Sequence, residues 1–85
     1  MTAREPLDLR AFACPLTWVK TRLALDRLAA GDVLEVWLPA GEAVESVPRS
    51  AEDDGHRVVS AEPMADGAVR VRLERGAGRA AEPLP

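Results

Sequence analysis

The alternation of apolar and polar positions changes period along the chain, and each change marks an element. Leu7-Asp8-Leu9 alternates briefly between Pro6 and a loop, which predicts a short first strand. From Leu16 to Ala30 the alternation gives way to a run rich in Leu, Ala and Arg, the composition of a helix. Pro15 suits the first helical position, where its missing N–H would be unpaired anyway, so Cys14 falls at the N-cap and Gly31 where a left-handed C-terminal cap is wanted. Residues 33–38, Val-Leu-Glu-Val-Trp-Leu, alternate again, with Leu34, Val36 and Leu38 on one face and Val33, Glu35 and Trp37 on the other. Pro39 to Gly41 breaks that strand. Ser46 with Pro48 then marks the start of a second helix that ends at Gly55 and has a thin apolar face, mainly Val47 and Ala51. Residues 57–62 predict a third strand and Ala65-Asp66-Gly67 a tight turn. The last strand lies within 68–74, with Val69, Val71 and Leu73 toward the core and Arg70, Arg72 and Glu74 outward.

The predicted order is βαβαββ. Both helices must bury one stripe against something apolar, so the natural packing is an α+β two-layer sandwich: a four-stranded mixed sheet with two helices on one face. Residues 1–74 form the expected single domain, and 75–85, which carry Gly, Ala and Pro without periodicity, read as a flexible tail. Projected at about 100° per residue, the first helix has two apolar clusters, Trp18, Ala24, Leu25 and Leu28 on one side and Leu16, Val19 and Leu23 on another. Only one can face the sheet squarely. The second either wedges against the other helix or forms an apolar docking surface for another protein.

Composition narrows the classes. Among 85 residues, 47% are hydrophobic and 29% charged, which suits a small folded domain. A net charge of −3 argues against a nucleic-acid partner, since phosphate neutralisation needs Lys and Arg. Arg57, Arg70 and Arg72 form a basic strip on the sheet's open face, but without interleaved aromatic residues for base stacking; a solvated sheet face competes with an RNA contact there. No run approaches the roughly 18 apolar residues of a membrane helix, so no membrane insertion and a cytoplasmic location are expected.

Cys14 is the sole cysteine, so no internal disulfide is possible, and with His56 it makes at most a fragment of a zinc site. No metal and no cofactor are expected. A thiol reacts as its thiolate, and at an ordinary pKa only about 3% is ionised at pH 7. A helix N-terminus stabilises the anion, and Arg10 upstream with Lys20 and Arg22 downstream could add positive charge. The competing reading is a small buried hydrophobe. His56 opens a strand and is read as structural rather than as a general base, and Trp18 and Trp37 as packing residues. Glu52, Asp53 and Asp54 read as a solvated helix end.

The stretch LDLRAFACPLTWVKTRLALDRLAAGDVLEV resembles the N-terminal half of the TusA/SirA/YeeD sulfur-carrier family, whose pattern runs D-x-R-G-x-x-C-P-x-P, an apolar lysine-bearing helix, and G-x-x-L-x-V. SVPRSAEDDGHRV resembles that family's D-I-P…G-H-x-V segment, and the similarity runs over about residues 7–74. The chain departs from the pattern at Ala11 for glycine, at Thr17 for the second proline, at Pro39-Ala40-Gly41 for an acidic D-D-P, and at Ser46 for aspartate.

The resemblance implies a βαβαββ fold and a persulfide carried on Cys14, with Arg10, Pro15, Thr17 and Lys20 as supporting residues. It implies a sulfurtransferase acting as a stoichiometric carrier, loaded by a donor such as a cysteine desulfurase or another sulfurtransferase and emptied by a thiol-bearing acceptor protein. The altered loops point to a donor or acceptor of its own. The alternative is a non-catalytic binding or regulatory module on the same fold, with RNA binding a third reading.

Overall fold

The computed structural model describes residues 6–13 and 16–76. Its elements are β1 (Leu7–Asp8), α1 (Leu16–Asp26), β2 (Val33–Leu38), α2 (Glu42–Asp53), β3 (Arg57–Pro63) and β4 (Val69–Glu74), with one 3-10 turn at Ala65–Gly67. The strands lie in the spatial order β1-β2-β4-β3; β1 runs parallel to β2 and the other pairs are antiparallel. This is the expected four-stranded mixed sheet with two helices packed on one face.

The alternation in β2 and β4 decides which face is covered. Leu34, Val36, Leu38, Val71 and Leu73 are buried and meet Leu25 and Leu28 from the α1 segment and Ala43, Val47 and Ala51 of α2. Each fully buried Leu or Val contributes about 1.5–3 kcal/mol relative to exposure, so these positions supply most of the drive to fold. Edge strand β3 carries a register irregularity between Val58 and Ser60 and ends in Pro63. Both features blunt an edge against pairing with another chain.

Two boundaries and one buried face differ from expectation. Helix α1 stops at Asp26 and not at Ala30. The amides of Arg27 and Leu28 bond to carbonyls three residues back, Ala24 and Leu25, so the last turn tightens and swings Leu28 onto the core. Asp32 then fixes the connection: its carboxylate accepts from the Ala29 amide at 3.2 Å and its own amide donates to the Ala29 carbonyl at 3.0 Å. Gly31 has positive φ as expected, but it turns the chain into β2 and does not cap the helix.

Helix α2 begins at Glu42, ahead of Ser46, so Pro48 lies inside it. Glu42 and Glu45 in the first turn suit the positive end of the helix dipole. Ala43, Val47 and Ala51 form a buried stripe at four-residue spacing, which offsets the amide that Pro48 cannot supply. The helix ends at Asp53, two residues before the expected Gly55, and Gly55 closes that end. The Gly55 amide donates to Glu52 and the His56 amide to Ala51, a closure that needs positive φ at Gly55, observed at 93°.

The third difference lies in which residues α1 buries. Thr17, Thr21 and Leu25 are buried, Trp18 and Ala24 only partly, while Leu16, Val19 and Leu23 are exposed. The second cluster is therefore not wedged against α2. Two threonines outside both expected clusters share the buried side with Leu25, and the Thr21 hydroxyl donates to the Thr17 carbonyl at 2.7 Å, which removes its hydrogen-bonding need inside the core.

Candidate functional site

The segment from Leu9 to Leu16 leaves the C-terminal end of β1 and delivers the chain to α1. Leu9 anchors it: the side chain is buried and the amide donates to the Trp37 carbonyl at 2.9 Å, extending the β1–β2 pairing by one bond. Phe12 then donates its amide to the Leu9 carbonyl at 3.0 Å, folding the loop back on itself. Cys14 and Pro15 lie outside the described residues, as do the N-cap and first-helical-position expectations placed on them. On either side of them, the Leu16 amide donates to the Ala13 carbonyl at 2.8 Å.

Arg10 is held from three directions. Its backbone amide and Nε donate to Asp8 Oδ1 at 3.1 and 2.9 Å, and its Nη2 donates to Oδ2 at 2.8 Å. The guanidinium carbon also lies 4.7 Å from the centre of the Trp37 ring. These hydrogen bonds, the side-chain pair foremost, lower the Asp8 carboxyl from 3.8 to about 2. Arg10 thus braces the loop against β1 and β2, with its charge matched by Asp8. Lys20 reaches back from α1 so that Nζ lies 4.7 Å from the Phe12 ring centre. Thr17 is fully buried beneath the first turn. The sequence singled out Arg10, Thr17 and Lys20 but not Asp8 or Phe12; the D-x-R spacing, which lets a carboxylate reach an arginine two residues on, was the available signal for Asp8.

Next to this loop a cleft of about 500 Å³ opens between Arg10 and Ala11, Pro39 and Ala40 after β2, and Ala65 and Asp66 between β3 and β4. The open sheet face is a lattice of paired charges: Arg72 with Glu35 at 3.4 Å, Arg57 with Glu74 at 3.0 Å, and Arg70 with Glu62. Trp37 Nε1 joins it by donating to Glu35 at 2.7 Å. All three arginines of the expected strip therefore face carboxylates, an arrangement that serves a solvated sheet face better than a phosphate backbone. Arg22, exposed on α1, reaches Asp54 beyond α2 at 4.0 Å.

His56 is buried, and its Nδ1 accepts from the Gly76 amide at 3.0 Å. Burial first, and then the nearby Arg75 charge, lower its pKa below 6.5, against the opposing pull of Asp54 and Asp26. It is a structural acceptor. Gly76 packs so closely that a Cβ there would meet the Gly55 carbonyl oxygen at 1.9 Å. Arg75 adds a bond to the Asp32 carbonyl at 2.7 Å, so the chain just past β4 is tied to the body. The rest of the expected tail, 77–85, lies outside the described residues. Among the described residues, no group of three or more His, Cys, Asp or Glu could hold a metal ion, and no helix is long and apolar enough to cross a membrane.

The family profile described as sulfurtransferase TusA matches residues 5–75, spanning every element above. The chain belongs to the TusA family. It is 41% identical over 64 residues to a protein of Archaeoglobus fulgidus named as a sulfur carrier, covering 75% of this chain and 73% of that one. A Methanocaldococcus jannaschii protein named in the same way is 40% identical over 60 residues, 71% of this chain and 80% of its own. TsuB of Escherichia coli, also named as a sulfur carrier, is 25% identical over 71 residues, 84% of this chain and 95% of its own. The crystal structure of a SirA-like protein from Desulfitobacterium hafniense superposes with a TM-score of 0.73 at 22% identity, covering 84% of this chain and 96% of that one, and shares the fold.

Proposed function

We propose that this TusA-family chain carries sulfane sulfur as a persulfide on Cys14 and passes it to the thiol of a partner protein. The observation that supports the reading is the place of Cys14 in the sequence: the chain's sole thiol falls two residues before α1 and four after the Arg10 that braces the described part of the loop, in a family whose members compared above are named for sulfur carriage. In loading, the Cys14 thiolate attacks the outer sulfur of a donor persulfide. One S–S bond forms, the donor's S–S bond breaks, and the donor leaves as a thiolate, so no external oxidant or reductant is needed. In delivery, an acceptor thiolate attacks the outer sulfur on Cys14 and Cys14 leaves as the thiolate.

Each half-reaction needs one exposed thiolate and no second cysteine, which fits the cysteine count. Arg10 serves by holding the loop through Asp8 and Trp37, and Lys20 by steadying Phe12. Pro15, immediately before α1 in the sequence, and Thr17 in its first turn are the residues that support the helix whose N-terminus favours the thiolate. The donor is a desulfurase or another sulfurtransferase and the site of action is the cytoplasm. The domain spans residues 1–74.

The pH dependence of Cys14 alkylation tests this. A carrier shows a thiol pKa of about 7 or below. A value above about 8, with partner binding that survives Cys14→Ala, favours a binding module on the same fold.

A further inference from the structure

The chain just past β4 is held between two turns. Arg75 joins the first by backbone bonds alone: its amide donates to the Asp32 carbonyl at 2.7 Å and its carbonyl accepts from the Gly31 amide at 2.8 Å. Gly76 joins the second through a side chain, its amide donating to His56 Nδ1 at 3.0 Å. The fit there admits only glycine, because a Cβ at 76 would lie 1.9 Å from the Gly55 carbonyl oxygen and 3.3 Å from the His56 Cα. One tie therefore contains no titrating group, and the other depends on an imidazole.

An imidazole nitrogen accepts only while it carries no proton. His56 is 7% exposed and receives the Gly76 amide at Nδ1, so its neutral ring carries its proton on Nε2. A proton added at Nδ1 would set two N–H groups against each other. It would also place a second positive charge near Arg75, whose own Nη1 donates to the Gly76 carbonyl. Asp54 after α2 and Asp26 at the end of α1 favour the charged ring, and Asp54 also faces Arg22 of α1 at 4.0 Å. Arg57, next to His56 in β3, pairs with Glu74 of β4, and the Asp32 carboxylate accepts from the Ala29 amide. Burial and Arg75 outweigh the two aspartates, so the enclosed ring favours its neutral form.

We propose that His56 and Gly76 form a proton-operated latch, in which protonation of His56 at Nδ1 releases Gly76 from the Gly55–His56 turn while Arg75 stays paired with Gly31 and Asp32. The latch is closed above 6.5, the ordinary value of a released ring, and opens as pH falls from there through the lower value of the enclosed one. Residues 77–85 follow Gly76 directly in the sequence, so the point of release is where that segment begins. The device does not involve Cys14 and stands whether or not the chain carries sulfur.

The test follows the full-length protein by NMR from about pH 7.5 to about pH 5, the range in which histidine titrates. The His56 ring is read together with the protection of backbone amides against hydrogen exchange, taken relative to an unstructured chain at the same pH. Protection of the Gly76 amide should fall about tenfold in step with the His56 titration, while that of the Gly31 and Arg75 amides holds. His56→Asn, which keeps an acceptor without a titrating ring, should leave Gly76 protected throughout. Gly76→Ala, whose Cβ has no room in the closed arrangement, should raise the His56 pKa toward 6.5, and Arg75→Gln should raise it too.

Gly76 protection that does not follow the His56 titration, or a His56 pKa unchanged in Gly76→Ala, would overturn the proposal. So would Gly31 and Arg75 amides that lose protection together with Gly76, since the transition would then be a wider unfolding. A pH-dependent loss of Gly76 protection that persists in His56→Asn would give the switch to another group and overturn it equally.

Discussion

The Arg10 guanidinium carbon lies 4.7 Å from the centre of the Trp37 ring, so the loop leading to Cys14 is fastened to the middle strand pair by a side chain as well as by the backbone. The same guanidinium donates twice to Asp8, and that pairing holds the Asp8 carboxyl at about 2. In Arg10→Gln the Asp8 carboxyl should return toward 3.8, measured by carboxyl-carbon NMR across an acid titration. The sign follows from linkage. A carboxyl depressed in the folded state contributes stability that is present above its unfolded pKa and is lost as pH falls through the folded value. An unchanged Asp8 titration in the variant would contradict the brace.

Leu23 and Leu25 differ by two positions on one helix and by 56% against 0% exposure. Leu25→Ala should cost about 2–5 kcal/mol in urea unfolding, the range for a buried leucine whose cavity collapses only in part. Leu23→Ala should stay within about 0.5 kcal/mol. Similar losses at both sites would show that α1 sits on the sheet with a different face.

His56 gives the fold a pH slope on the acid side. Its pKa is lowered in the folded state, so the unfolded chain binds more protons, and stability is full above 6.5 and falls as pH drops from there through the lower folded value. His56→Asn keeps an acceptor near the Gly76 amide without a titrating ring. Denaturant midpoints measured between pH 7.5 and pH 5 should fall in wild type and stay flatter in the variant; parallel curves would remove His56 as the source.

The strands were legible in the sequence because alternation is local: Leu34, Val36 and Leu38 needed only their neighbours to declare a buried face, as did Val71 and Leu73. The helix boundaries were less so. Pro48 looked like a helix start, since proline favours that position, but the tertiary stripe of Ala43, Val47 and Ala51 extended α2 past it. The last turn of α1 tightened after Asp26, and Asp32 fixed the chain beyond it through a contact to Ala29 that no helix propensity encodes.

The candidate site was legible in part. Arg10 and Lys20 stood out as charges near Cys14, but their ring partners, Trp37 and Phe12, follow from the parallel β1–β2 pairing and the folded-back loop. The outward aliphatic face of α1 was visible as a second cluster. Which cluster the sheet would take was not, because the buried side also takes Thr17 and Thr21, and the Thr21 hydroxyl can be buried only once the helix backbone satisfies it.

Persulfide formation on Cys14 tests the account most directly. The protein is incubated with a cysteine desulfurase and cysteine, and in parallel with inorganic polysulfide, and its mass is then read intact and after fragmentation. The account predicts a gain of one sulfur atom on the fragment containing Cys14, reversed by a reducing thiol and absent from a folded Cys14→Ser variant. A wild type that gains no sulfur from either donor, or an adduct that persists in Cys14→Ser, would contradict it.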